Sequence, residues 1–155
     1  METKGRYCED FRVGESFQTA GRTVTEADIV NFAGLSGDFH PLHVDREYAK
    51  QTSFGVRIAH GLLGLSLASG LMSRLGLIEE TVVALLSLTW RFKKPVKIGD
   101  TLSVTLIVTK VEGDRGRGHG VVTFGVNVAN QEHVTVQEGE WSLAVLTRSQ
   151  GQVPK

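Results

Sequence analysis

The segment from His60 to Leu75, HGLLGLSLASGLMSRL, limits the possible folds more than any other part of the chain. Leu62, Leu63, Leu65, Leu67, Leu71, Met72 and Leu75 put apolar side chains on nearly every face of a helix. Helices that are apolar all round belong inside a protein. The run is shorter than a bilayer span and meets Arg74 near its end, so a protein interior is its expected place. Gly61, Gly64, Ser66, Ala68, Ser69, Gly70 and Ser73 stand among the leucines. Each glycine lowers helix propensity by roughly 1 kcal/mol relative to alanine, so close approach of a backbone or a ligand is the expected reason for them.

Beyond the helix the chain takes on the two-residue period of strands. In Val82–Phe92, Leu86, Leu88, Trp90 and Phe92 alternate with Ser87, Thr89 and Arg91. Thr101–Val111 alternates Leu102, Val104, Leu106 and Val108. Val121–Ala129 and Val134–Leu146 complete a set joined by a Gly- and charge-rich turn at 113–120 and a polar turn at 130–132, which suits an antiparallel meander. Ahead of the helix, residues 1–16 read as polar surface pinned by Tyr7, Phe11, Val13 and Phe17, and 16–24 as a short strand. Thr25 and Asp28 form a capping-box pattern for a helix over 26–35, stopped by Ser36-Gly37. A loop over 38–44 leads to a short helix over 46–51 capped by Asp45, then a loop over 52–58. The expectation is one α+β domain over residues 1–155, with 6–147 as its body and 148–155 as a frayed tail. An antiparallel sheet wrapped around a long buried helix describes a hot-dog fold.

Composition removes several classes of function. Lys+Arg and Asp+Glu are both 17, so no net positive field exists to hold nucleic acid. Cys8 is the single cysteine, which excludes an intrachain disulfide and fits a cytoplasmic setting. No base stands beside it to make it a nucleophile. The opening METKGRYCEDF lacks the apolar core of a signal peptide, and no membrane segment is expected.

The chemistry-bearing residues gather just before the buried helix. Asp38, His40, His43 and Asp45 fall around Gly37 and Pro41. A carboxylate and an imidazole held together by a constrained turn can share a water and move protons near neutral pH. An Asx-turn at Asp38 and a surface histidine at 43 is the alternative. The spacing H-x-x-H-x-D is no strong zinc signature, and no metal is expected. Gly61 opens the buried helix, where unused N–H groups and the positive dipole end suit an oxyanion, the alternative being an ordinary helix start capped by a side chain or water. Ser66 and Ser69 either bond back to the preceding turn or face a pocket. Arg91, Lys93, Lys94 and Lys97 read as solvated surface or as a phosphate contact.

The stretch Gly37-Asp38-Phe39-His40-Pro41-Leu42-His43-Val44-Asp45, followed by Tyr48-Ala49 and the helix start at His60-Gly61, resembles the hydratase motif of the MaoC-like (R)-specific enoyl-CoA hydratases. YCEDFRVGESF and WRFKKPVKIGDTL resemble that family as well. The departure is His40, where the family commonly has Asn. The resemblance implies a hot-dog homodimer or larger homo-oligomer acting on acyl-CoA thioesters without a metal or redox cofactor. It implies Asp38 and His43 as the pair that activates one water, and the N–H of Gly61 as the oxyanion donor. His40, His60, Ser69, Arg91 and Lys93 are the candidate substrate contacts, the last two for the coenzyme A tail. Water would add across the 2,3 double bond of a trans-2-enoyl-CoA to give an (R)-3-hydroxyacyl-CoA, or leave in reverse. A hot-dog thioesterase and a non-catalytic acyl-CoA-binding protein are the alternatives, since fold alone does not decide function.

Overall fold

The computed structural model describes residues 5–148. In chain order the elements are β1 (Ser16–Gln18), β2 (Arg22–Thr23), α1 (Glu26–Ser36), α2 (Pro41–Val44), α3 (Arg46–Lys50), α4 (Gly61–Ser73), β3 (Val82–Phe92), β4 (Thr101–Glu112), β5 (His119–Ala129) and β6 (Thr135–Leu146), preceded by a single 3-10 turn at Cys8–Asp10. The strands form one six-stranded sheet in the order β1-β4-β5-β6-β3, with β2 also on β4. All pairings are antiparallel. β4, β5 and β6 are the expected meander, and β3 returns to pair with β6 (Leu88 opposite Trp141, Phe92 opposite Gln137).

Alternation dictates the core. Leu102, Val104, Leu106 and Val108 of β4 are fully buried, as are Val122, Phe124 and Val128 of β5. They share one cluster with Leu63, Ala68, Leu71 and Met72 of α4 and with Ile29 of α1. A sheet curved over α4 is the hot-dog arrangement.

Several expectations are corrected. α4 is buried on one side only: Leu63, Gly64, Ala68, Leu71 and Met72 face the sheet, while Leu62 is 59% exposed and Ser66, Ser69, Gly70 and Ser73 line the opposite face. The apolar excess that reads as burial all round is therefore more than this single chain covers. Residues 41–44 are helical rather than loop, because Pro41 sits at the first helical position, where its missing N–H and fixed φ are no penalty. The strand expected over 16–24 is split in two, with the chain bending at 19–21 between β1 and β2. In the N-terminal segment Cys8 and Phe11 are buried and Val13 is exposed. Arg148, expected in the frayed tail, ion-pairs with Asp10 at 2.7 Å and lies over the Tyr7 ring. The rest of that tail lies outside the described residues. No helix among the described residues is long and apolar enough to cross a membrane.

Candidate active site

The turn carrying Asp38 is built by local hydrogen bonds. α1 begins with Thr25, whose hydroxyl accepts from Asp28 N while the Asp28 carboxylate accepts from Thr25 N. It ends at Gly37, whose φ of 76° and N–H to Ala33 O make a left-handed cap. Asp38 comes next, and its Oδ1 accepts from His40 N at 3.1 Å. That leaves Oδ2 uncommitted among the described residues. His40 then caps α2, its Nδ1 accepting from Leu42 N at 3.2 Å. An asparagine would cap the same turn through its side-chain oxygen. His40 thus closes the turn through its own side chain while lying exposed.

α2 places His43 against the segment leading into α4. His43 Nδ1 donates to Ile58 O at 2.8 Å, because a carbonyl only accepts. The lone pair of neutral His43 is thus on Nε2. Burial pushes the His43 imidazole below its ordinary value of 6.5; the Ile58 carbonyl and Asp38 oppose the shift, and His60 and His40 add to it. A neutral imidazole with a free Nε2 is ready to accept a proton.

His60 joins the two. It is 3% exposed, and its Nε2–H donates to the backbone carbonyl of Asp38 at 2.9 Å. Its ring stacks on His43 with centroids 3.8 Å apart and planes at 28°, and rests against Phe32 at 5.1 Å. His60 Nδ1 is buried without a partner among the described residues. One ligand atom each from Asp38, His43 and His60 lies within 4.8 Å of the others. This is a poor chelate: the in-plane lone pairs of stacked rings run side by side and do not converge on one ion.

Gly61 opens α4 directly after His60, and its N–H is among the helix's unused donors. It borders a hollow of about 320 Å3 shared with His43, Phe54, Phe92, Lys93 and Gln137. The Phe92 ring packs against the Cα of Gly61 so closely that an added Cβ would stand 2.8 Å from Cε1. Asp38, His43, His60 and Gly61 are thus brought together. Ser69 is not: two turns further along α4, roughly 12 Å from Gly61 at 1.5 Å per residue, it lines a separate apolar groove with Leu65, Met72, Leu85, Leu88 and Trp141. Ser66 bonds back to Leu62 O at 2.8 Å. Arg91 is 80% exposed, and Lys93 pairs with Glu138 at 3.1 Å.

Gln137 has no counterpart among the residues singled out from the sequence. It is buried in β6; its Nε2 donates to Gly61 O at 3.0 Å and its Oε1 accepts from Trp90 Nε1 at 3.1 Å. It ties the first turn of α4 to β6 and β3. Glutamine between Val136 and Glu138 carries no local signal of this.

The family model described as "MaoC like domain" matches residues 10–132. The chain belongs to the MaoC-like family. Among curated MaoC-like relatives, it is 35% identical over 142 residues to the (R)-specific enoyl-CoA hydratase of Rhodospirillum rubrum, covering 92% of this chain and 93% of that protein. It is 32% identical over 125 residues to the 3-hydroxybutyryl-CoA dehydratase of Methylorubrum extorquens, covering 81% and 78%. A solved structure described as a monoamine oxidase regulatory protein from Archaeoglobus fulgius superposes with a TM-score of 0.87 at 38% identity, over 95% of this chain and 98% of that one. The match spans the Asp38–His43 turn, α4 and most of the MaoC-like sheet.

Proposed function

We propose that this chain hydrates a trans-2-enoyl-CoA to the (R)-3-hydroxyacyl-CoA and catalyses the reverse dehydration. The observation that carries this reading is the uncommitted Asp38 carboxylate beside the free Nε2 of His43, at the N-terminus of α4. Relatives named as an enoyl-CoA hydratase and a hydroxybutyryl-CoA dehydratase support it.

The thioester carbonyl oxygen accepts from Gly61 N–H. One water is held between Asp38 and His43. As its oxygen bonds to C3, His43 Nε2 takes its proton and the C2–C3 π pair moves toward the carbonyl. The resulting enolate-like oxygen is stabilised by Gly61 N–H at the positive end of the helix dipole. The proton returns from the Asp38/His43 pair to C2. One water is added and no electron is gained or lost, so this chemistry calls for neither metal nor redox cofactor.

The active form is a homodimer or larger homo-oligomer. β3 lies at the sheet edge, paired with β6 alone. Val82, Val83, Leu85, Leu86, Leu88 and Phe92 are exposed on it, over both of its faces. A long apolar edge strand is a template for another strand. Light scattering should give at least a dimer mass, and Leu86→Lys should lower it. The single buried cysteine supports a reducing, cytoplasmic setting.

Crotonyl-CoA with a free-thiol probe tests the reaction. Loss of the conjugated thioester absorbance without thiol release, abolished by Asp38→Asn and by His43→Asn, is the expected result. Thiol release would assign a thioesterase instead. No turnover across crotonyl, branched and dicarboxylic enoyl-CoAs would leave a binding protein.

A further inference from the structure

We infer that Gln137 is the positioning residue for the oxyanion donor: its buried amide fixes the first turn of α4, and with it the Gly61 N–H, against the sheet. This rests on the acyl-thioester reading above and deepens it, because it names what aims the donor.

The start of α4 needs an outside hold. Its N-cap, His60, makes no side-chain hydrogen bond to the first turn. The first helical residue is a glycine, which has the most backbone freedom to lose. The earliest hydrogen bonds are shared and loose: Leu63 N and Gly64 N both donate to His60 O, at 3.1 and 3.4 Å. Helix ends without a cap fray. An oxyanion donor works only if it is aimed before the charge develops, so a frayed start would stabilise little.

One cross-strand pair supplies the hold. Phe92 of β3 stands opposite Gln137 of β6. Side chains of such a pair lie on one face of the sheet. Gln137 Nε2 donates to Gly61 O at 3.0 Å. The Phe92 ring covers the Cα of the same glycine, its Cε1 2.8 Å from where a Cβ would stand. Gly61 is thus gripped at its carbonyl and its Cα. Its N–H is left as the free end, at the hollow that Gly61 and Gln137 share with His43. Gly64 makes room for the grip, since an added Cβ there would collide with the Gln137 amide.

The amide cannot turn over. Trp90 Nε1 donates to Gln137 Oε1 at 3.1 Å. An indole N–H only donates and a backbone carbonyl only accepts, so these two neighbours admit one orientation, with Nε2 toward Gly61. Trp90 is itself held. Its ring stacks on Trp141 with centroids 5.6 Å apart and planes at 17°, and it lies where a Cβ on Gly139 would collide with it.

Stability alone does not call for this residue. Gln137 is 2% exposed. A buried amide must recover its desolvation cost through its hydrogen bonds, so its net gain over an apolar side chain is small. What the amide adds is direction.

The test reads the thioester carbonyl itself. Crotonyl-CoA with an isotope label at the carbonyl carbon is bound to the full chain carrying Asp38→Asn, which prevents turnover, and its carbonyl stretch is recorded by infrared difference spectroscopy. The measurement is repeated with Gln137→Met, Gln137→Glu or Trp90→Phe added. Kinetics and melting temperatures are taken for the same three substitutions with Asp38 intact. The bound carbonyl should stretch at a lower frequency than the free one. Gln137→Met should remove most of that lowering and cut kcat by about 10–10²-fold, with KM within about threefold of the parent. Trp90→Phe, which frees the amide to turn, should act in the same direction and less. In Gln137→Glu an acid oxygen replaces Nε2: protonated it donates to Gly61 O, ionised it repels that oxygen. Its lowering should therefore return as pH falls, with no such change in Gln137→Met. An undiminished lowering in Gln137→Met overturns the inference, whatever becomes of kcat or Tm. So does a Gln137→Glu variant that regains none of it at low pH. So does a carbonyl that is not lowered at all in a chain that hydrates crotonyl-CoA when Asp38 is restored; the reaction would then stand and the aimed donor would not. A lowering that Gln137→Met removes, in a chain that hydrates no enoyl-CoA, would uphold the role of Gln137 and overturn the reaction.

Discussion

The imidazole of His60 lies flat on that of His43, centroids 3.8 Å apart, while its Nε2–H holds the backbone carbonyl of Asp38 at 2.9 Å. One buried ring thus sets the positions of both members of the proposed proton-transferring pair. His60→Phe keeps the stacking and removes the donor. It should lower stability by about 0.5–1.5 kcal/mol, the net worth of one hydrogen bond. It should also lower kcat by more than it changes KM. A urea midpoint and a Michaelis plot check the two together.

Asp38→Asn separates chemistry from folding. Asparagine keeps an oxygen for His40 N, so the turn survives and the urea midpoint should stay within about 0.5 kcal/mol of the parent. The charge proposed to help hold and deprotonate water is gone, and kcat should fall roughly 10²–10⁴-fold.

As the proposed base, His43 should govern the pH profile. The base must be neutral, and burial has moved its titration below 6.5. The plateau of kcat/KM should therefore extend below the ordinary histidine range, then fall as pH drops through the lowered value. The stability linkage has the same sign. A depressed imidazole contributes stability that is present above 6.5 and is lost as pH falls through the folded-state value. An acid limb of kcat/KM above 6.5 would contradict this assignment.

Asp28 supplies a stability test away from the site. The Arg22 guanidinium, bonded at 2.6 Å, holds its carboxyl down at about 2 against the opposing effect of burial. Its contribution is present above the ordinary value of 3.8 and is lost as pH falls through about 2. Asp28→Asn keeps an oxygen for Thr25 N but removes the charge paired with Arg22, and should cost about 1 kcal/mol at neutral pH. Part of the acid dependence of the urea midpoint should vanish with it.

Gly64 measures the Gln137 tie. A Cβ there would collide with the Gln137 amide, which is fixed at both ends and buried. Gly64→Ala should therefore destabilise by about 1–3 kcal/mol despite its better helix propensity. Calorimetric melting decides it, and an unchanged Tm would mean that Gln137 is free to move.

Elements with a local cause were legible in the sequence. The Thr25–Asp28 box and the left-handed cap at Gly37 bound α1 within a residue of expectation. Asp45 caps α3 through two N–H groups, and the alternation in β4–β6 gives the meander. The turn bearing Asp38 and His43 was readable because its residues are close in sequence. The links that hold it were not: His60 to Asp38 spans 22 positions and Gln137 to Gly61 spans 76. Pro41 was read through its effect on the preceding residue, and His40 does take ψ 133°, but the same ring also starts a helix. The bare face of α4 reads as interior because hydrophobic pattern reports that a surface is covered, not by which chain.

The bareness of β3 has a consequence for handling the protein. Stability that depends on a second copy obeys mass action, so the melting temperature should rise with protein concentration. Samples diluted for assay should lose activity over time and regain it on reconcentration. The start of β3 borders the apolar groove that holds Ser69, and its end, at Phe92, borders the hollow at Gly61. Under the proposed oligomer a newly made chain stays unfinished until it meets another, and the rate of that encounter sets how soon its active site is complete.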